Sequence, residues 1–136
     1  MATAGYSGTP LIKKLGIKTG TKLLLLHAPG NYFALLEEEP GHQTCKKNEI
    51  PSLVHLFAGS NKIFEKEMTA LEPVWKKNTT LIIWVSWYKK SSGMATDLTE
   101  DIIRNYALSH GLVDVKVCAV SELWSGLKLV VPLAKR

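Results

Sequence analysis

Four histidines, two cysteines and four lysine pairs are the residues of this 136-residue chain whose types invite chemistry. His27 closes an apolar run just before Pro29-Gly30-Asn31, and an imidazole there could carry a proton near neutral pH. His55 alternates with Val54 and Leu56, so it is expected to be a core imidazole satisfied by hydrogen bonds. His42 and His110 fall at element ends and are expected to be solvated. Cys45 and Cys118 have neither C-x-x-C spacing nor a neighbouring histidine, so no metal site and no redox role follows from them. Nucleophilic catalysis lacks its inventory: there is no G-x-S-x-G elbow and no cysteine inside a family signature.

A dinucleotide or S-adenosylmethionine site needs glycines after the first strand, so that backbone can approach the ligand, and an acid at the end of the next strand for the ribose hydroxyls. The chain offers only His27-Ala28-Pro29-Gly30-Asn31, in which Pro29 removes a donor N–H from the turn. No cofactor is expected on these criteria.

One constellation stands out, because ligands in open α/β sheets bind beyond the carboxyl ends of the strands. His27, Gly30 and Asn31 belong to that edge, as do Gly59, Ser60 and Asn61, then Lys89, Lys90, Ser91 and Ser92, then Ser121 to Trp124. Helix N-termini after Gly59-Ser60 and after Thr96 would point N–H groups there, and with two lysines they could hold an anion or phosphate. Ordinary capping in a solvated loop accounts for the same residues, and Asp97 would compete for the donors. The ligand-binding candidates are therefore His27, Gly30, Asn31, Ser60, Asn61, Lys89, Lys90, Ser91 and Trp124. Trp84 is expected in the core, whereas Trp87 and Trp124 are expected to be exposed enough to line a pocket or interface.

The elements that must position these residues can be placed from periodicity. Thr9-Pro10 caps a short helix through Leu11, Ile12 and Leu15 that stops near Gly16. Lys22 to Ala28 is apolar without alternation, as in a strand covered on both faces of a parallel sheet. Tyr32 to Glu39 gives a short helix ended by Pro40-Gly41, and His42 to Lys46 a brief polar edge strand. Leu53 to Ala58 is a buried strand, Asn61 to Lys76 the longest helix with Pro73 kinking its last turn, and Leu81 to Tyr88 a central strand. Lys89 to Thr96 is expected to be the least ordered interior segment. Asp97-x-x-Glu100 has capping-box form and starts a helix that Gly111 closes. Val113 to Val120 and Gly126 to Leu133 are joined too closely for a parallel crossover, so they form an antiparallel pair.

With right-handed crossovers these elements make one Rossmann-like three-layer α/β domain over residues 1–136, with a flexible stretch at 1–8. By analogy with nucleotide-dependent methyltransferase domains, which end on an antiparallel strand, the mostly parallel sheet takes the order 2-1-3-4-6-5 with only the last strand antiparallel.

Composition bounds the function classes. The chain is 46% hydrophobic and 21% charged, ordinary for one globular domain, and its net charge of +5 is shared by both halves. Spread charge argues against specific nucleic-acid binding and allows weak, sequence-independent binding that salt abolishes. The longest apolar run, Leu23 to Leu26, is too short for a bilayer, and the first eight residues lack a signal-peptide pattern, so a cytoplasmic protein without membrane contact is expected.

Tyr6-Ser7-Gly8-Thr9-Pro10-Leu11 and Lys14-Leu15-Gly16-Ile17 are followed by LLLLHAPGNY (23–32), LVHLFAGS (53–60), WVSWYKKSSG (84–93), TDLTEDIIR (96–104) and GLVDVKVCAVSELWSGLKLV (111–130). Together, from Tyr6 to about Val131, this pattern resembles the bacterial family catalogued as domain of unknown function 3052. The resemblance implies a compact bacterial cytosolic α/β domain without an assigned activity, and it brings no catalytic residues. The expected function is a non-catalytic module that binds a small anionic ligand or a protein partner. The alternative is a small enzyme acting on a phosphorylated or nucleotide-like substrate at the carboxyl edge, with His27, Asn31 and Lys89 in one pocket.

Overall fold

The computed structural model describes residues 10–36, 43–45 and 49–136. The Thr9 cap, the stretch 1–8, Glu37 to His42 and Lys46-Lys47 lie outside the described residues.

Among the described residues the α-helices and strands follow one another as α1 (Leu11–Leu15), β1 (Lys22–Leu26), α2 (Tyr32–Leu36), β2 (Gln43–Thr44), β3 (Leu53–Phe57), α3 (Asn61–Lys77), β4 (Ile82–Tyr88), α4 (Glu100–Ser109), β5 (Val113–Ala119) and β6 (Trp124–Val130). The strands form one six-stranded mixed sheet of order β2-β1-β3-β4-β6-β5. Strands β2, β1, β3 and β4 are parallel neighbours, and β6 runs antiparallel to both β4 and β5. The four residues between β5 and β6 leave no room for a crossover helix, which fixes this last pairing.

Alternation along β3 and β4 sends side chains to two apolar layers. Val54, Leu56, Ile83 and Val85 meet Phe64, Met68, Leu71 and Trp75 of α3 and Ile103 and Ala107 of α4. On the other face, Leu53, Phe57 and Trp84 meet Leu11, Ile12 and Leu15 of α1 and Tyr32 and Leu36 of α2. Trp84 fastens that side by donating its indole N–H to the Leu15 carbonyl at 2.9 Å.

Several local expectations shift. Pro10 is the residue before α1 rather than its first helical position, and Gly16 ends the helix with φ 81°. Strand β1 stops at Leu26, because His27 leaves with φ 57° and breaks the ladder. Helix α3 runs through Pro73 to Lys77. The cap of α4 is Thr99, whose hydroxyl accepts the Ile102 N–H at 3.3 Å, and not Asp97. Gly111, at φ 84°, closes α4 as expected. Among the described residues no helix is long and apolar enough to cross a membrane.

Candidate functional site

The carboxyl edge of the sheet is where β1, β3 and β4 end and β6 begins. A groove of about 870 Å³ opens there between the exit of β4 and the first turn of α4. That volume suits a drug-sized or nucleotide-sized ligand. Lys89, Lys90 and Ser91 line it, Trp87, Tyr88, Met94 and Leu98 supply apolar surface, and Thr99, Glu100 and Asp101 at the start of α4 and Ser125 of β6 complete the lining.

The segment after β4 is more tied down than its composition suggests. Residues Lys90–Ser92 form a single 3-10 turn closed by Gly93 at φ 75°. Ser92 donates its hydroxyl to the Lys89 carbonyl at 2.6 Å and accepts the Met94 N–H at 3.1 Å. Farther along, Thr96 donates to the Gly59 carbonyl at 2.9 Å, while Asp97 accepts the Asn61 N–H at 2.7 Å. The loop is thus latched onto the β3–α3 turn. Gly59 keeps that junction close: a Cβ there would stand 3.3 Å from the Tyr88 ring, which would have to give by a few tenths of an ångström.

These bonds correct the expected anion site at the start of α3. Asp97 takes the Asn61 donor and the Ser60 hydroxyl takes the Ile63 N–H at 3.3 Å, so protein groups fill the places an anion would need. Of the nine candidates the groove gathers Lys89, Lys90 and Ser91. His27, Gly30, Asn31, Ser60 and Asn61 lie where β1 and β3 end, and none of them lines it. The expected pocket of His27, Asn31 and Lys89 is therefore not formed around this groove. Asn31 uses its carbonyl to accept the Leu35 N–H at the start of α2. Trp124 is corrected from exposed to buried: it stacks on Tyr88 with ring centres 4.1 Å apart and meets Phe57 edge-on. Trp87 is likewise buried in the α3–α4 layer.

His27 does not tie down the Pro29-Gly30 turn. Its Nε2 lies 2.7 Å from an oxygen of Glu67 on α3, a partner that no spacing in the sequence points to. His55 is fully buried, with Nδ1 3.0 Å from the Tyr32 hydroxyl and Nε2 2.7 Å from the Ser86 hydroxyl. Burial pushes its pKa down to about 3, so the ring is neutral at physiological pH. Burial likewise holds the Tyr32 phenol above its ordinary pKa. His110 is not simply solvated: Nδ1 lies 2.8 Å from the Tyr106 carbonyl and the two rings stack.

The acidic part of the lining is organised by Arg104. Its guanidinium donates to Asp114 at 3.0 Å, to Asp101 at 2.9 Å and to Glu100, joining α4 to β5. The hydrogen bonds that Arg104 donates to Asp114 and Glu100 hold its pKa above the ordinary value. Glu100, Asp101, Tyr88, Thr96 and Ser125 were missed by sequence reasoning, since only the fold sets them beside Lys89 and Lys90.

No family model matches the chain, and no curated protein does. Solved structures are alike in fold. One is a Streptococcus agalactiae protein of the NADB-Rossmann superfamily, 7% identical over 90% of this chain and 68% of that one, with a TM-score of 0.51. Another is a Streptococcus pneumoniae protein described as a proposed tRNA (m1A22) methyltransferase in complex with S-adenosyl-L-methionine, 11% identical over 88% of this chain and 72% of that one, with a TM-score of 0.48. The same protein without that ligand matches at 0.47. The fold is Rossmann-like α/β.

The expectation of a non-catalytic module is corrected. It rested on a Rossmann-like order of elements lacking a catalytic fingerprint, and that order is shared with a protein of the NADB-Rossmann superfamily, so it does not argue for a non-catalytic role. At these identities the likeness carries the fold alone, so the chemistry of this chain has to be argued from its own groove.

Proposed function

We propose that the chain is a small enzyme acting on a phosphorylated or nucleotide-like substrate at the carboxyl edge of the sheet. The observation that supports this reading is the groove itself, which gathers Lys89, Lys90, Glu100 and Asp101 with the aromatic side chains of Trp87 and Tyr88. Two ammonium groups suit phosphate oxygens, and Ser91 adds a hydroxyl donor. Tyr88, Met94 and Leu98 offer apolar surface to a base or sugar face. Cations and carboxylates lining one groove also supply what group transfer at phosphorylated substrates needs: stabilisation of negative charge and proton acceptors.

The test is a thermal-shift titration with AMP, ADP and ribose 5-phosphate, followed by phosphorus NMR of whichever compound shifts the protein. A ligand at one hundred times its dissociation constant adds about 2.7 kcal/mol of stability. The double variant Lys89→Ala, Lys90→Ala should lose the ligand-induced shift while its own melting temperature stays within about 2 °C, since surface substitutions usually change stability by less than about 0.5 kcal/mol. Binding without turnover, no shift with any of the three compounds, or an unaltered shift in the variant would each overturn the reading.

A further inference from the structure

The order of the sheet reverses between β1 and β3. The chain leaving β1 passes through α2 to β2 on one side, and the chain leaving β3 passes through α3 to β4 on the other, with α2 and α3 on opposite faces. Such a reversal opens a crevice beyond the carboxyl ends of the two strands, the place where open α/β sheets hold their ligands. His27 follows β1 directly, and its Nε2 lies 2.7 Å from a carboxylate oxygen of Glu67 in the second turn of α3. The pair therefore ties the chain leaving β1 to the helix that follows β3.

Three features set this pair apart from an ordinary surface ion pair. A carboxylate only accepts, so in the neutral ring the imidazole proton sits on Nε2 and Nδ1 keeps its lone pair. Nδ1 has no hydrogen bond among the described residues, and the His27 side chain is 45% exposed while that of Glu67 is 19% exposed. His27 is also the one non-glycine residue with positive φ among the described residues, at 57°, a backbone conformation that strains an L residue and gathers at functional sites. Neither His55 nor His110 is in this state. His55 is buried with both nitrogens engaged, and His110 holds Nδ1 against the Tyr106 carbonyl with its ring stacked on Tyr106.

We infer that His27 is a phosphoryl-acceptor site, taking the group on Nδ1 from a small donor of the phosphoramidate class, with Glu67 as its positioning residue. Nδ1 attacks the phosphorus of a donor whose amine is already protonated. The donor's P–N bond breaks, and ammonia leaves with the electron pair of that bond. The ring gains a P–N bond and a positive charge, while Nε2 keeps its proton in the bond to Glu67, whose negative charge offsets the new one. No base is needed to complete the step. Two observations select a small donor arriving from solvent over an enclosed substrate: the ring is nearly half exposed, and neither His27 nor Glu67 lines the groove. One P–N bond replaces another, so the transfer is close to balanced, as it would not be from an ordinary phosphate ester. The site is separate from the groove and does not depend on the reading proposed for it.

The test incubates the full chain with potassium phosphoramidate in mildly alkaline buffer and reads intact mass, peptide mapping and phosphorus NMR. One phosphoryl group should be added, on His27, lost in acid and kept in alkali, with the NMR signature of the Nδ1 isomer. The wild type unfolded in urea is the reference: there Glu67 no longer covers Nε2, so both isomers should form. This comparison needs no variant. Glu67→Gln still accepts the Nε2 proton but has no charge to offset the ring, and should slow the reaction at least about tenfold. His27→Gln should remove the Nδ1 signal. The Nε2 isomer on the folded chain, faster modification of another histidine, an unchanged rate in Glu67→Gln, or no modification of the folded wild type would each overturn the inference.

Discussion

His55 is uncharged in the folded chain because its surroundings accept a neutral ring and offer nothing to a charged one. It stacks on Phe57 and exchanges hydrogen bonds with Tyr32 and Ser86, all of them buried. The unfolded chain takes up a proton near pH 6.5, whereas the folded one holds out until about 3. The folded pKa is depressed, so protons favour the unfolded state: the stability from this group is complete above pH 6.5 and falls by about 1.4 kcal/mol per pH unit below it. Urea unfolding from pH 7 to 5 should show this slope in the wild type and its loss in His55→Gln, with equal slopes in the two proteins as the adverse result. Alternation with Val54 and Leu56 makes the burial of His55 legible in the sequence. Its partners are not, since Tyr32 and Ser86 come from segments 23 and 31 residues away. The same holds at His27, whose position at the strand end is readable while Glu67, 40 residues on, is supplied only by the packing of α3 over β1.

At the scale of elements, the start of α4 shows what a motif can and cannot fix. Asp97-x-x-Glu100 places the helix in the sequence but names the wrong cap, because Thr99, two residues on, also offers an acceptor before the same apolar stripe. The fold decides by demand: the N-terminus of α3 needs an acceptor for Asn61, and Asp97 is in reach of it. Thr99 then caps α4. Removing a cap costs about 1 kcal/mol, so Thr99→Ala and Asp97→Ala should destabilise the chain by similar amounts for different reasons. Amide hydrogen exchange distinguishes them: Thr99→Ala should accelerate exchange at Ile102, and Asp97→Ala at Asn61. Faster exchange at Ile102 in Asp97→Ala would instead restore the expected capping box. The loop between β4 and α4 teaches the same lesson, because its serines, glycine and threonine suggest mobility by composition while Ser92 and Thr96 use their hydroxyls to hold it.

For the whole molecule, the sheet was readable because its causes are local. Apolar runs without alternation mark strands covered on both faces, and a four-residue link forces an antiparallel turn, so the sequence reading and the structure share the order β2-β1-β3-β4-β6-β5. Exposure at the carboxyl edge was not readable, because the burial of Trp87 and Trp124 depends on which strands meet there. The two apolar layers share β3 and β4 as a common wall: Ile83 and Val85 face one layer and Trp84, between them, faces the other. Neither layer can lose that wall without exposing its neighbour, which makes separate unfolding of the two costly. Unfolding should therefore be one transition. With fluorotryptophan labelling, the fluorine NMR signals of Trp75 in the α3 layer and Trp84 in the α1 layer should disappear at the same urea concentration. Distinct midpoints would show that the short helices α1 and α2 detach first, leaving β1, β3 and β4 held by α3 and α4 alone, and the sheet would then be stabilised from one side only.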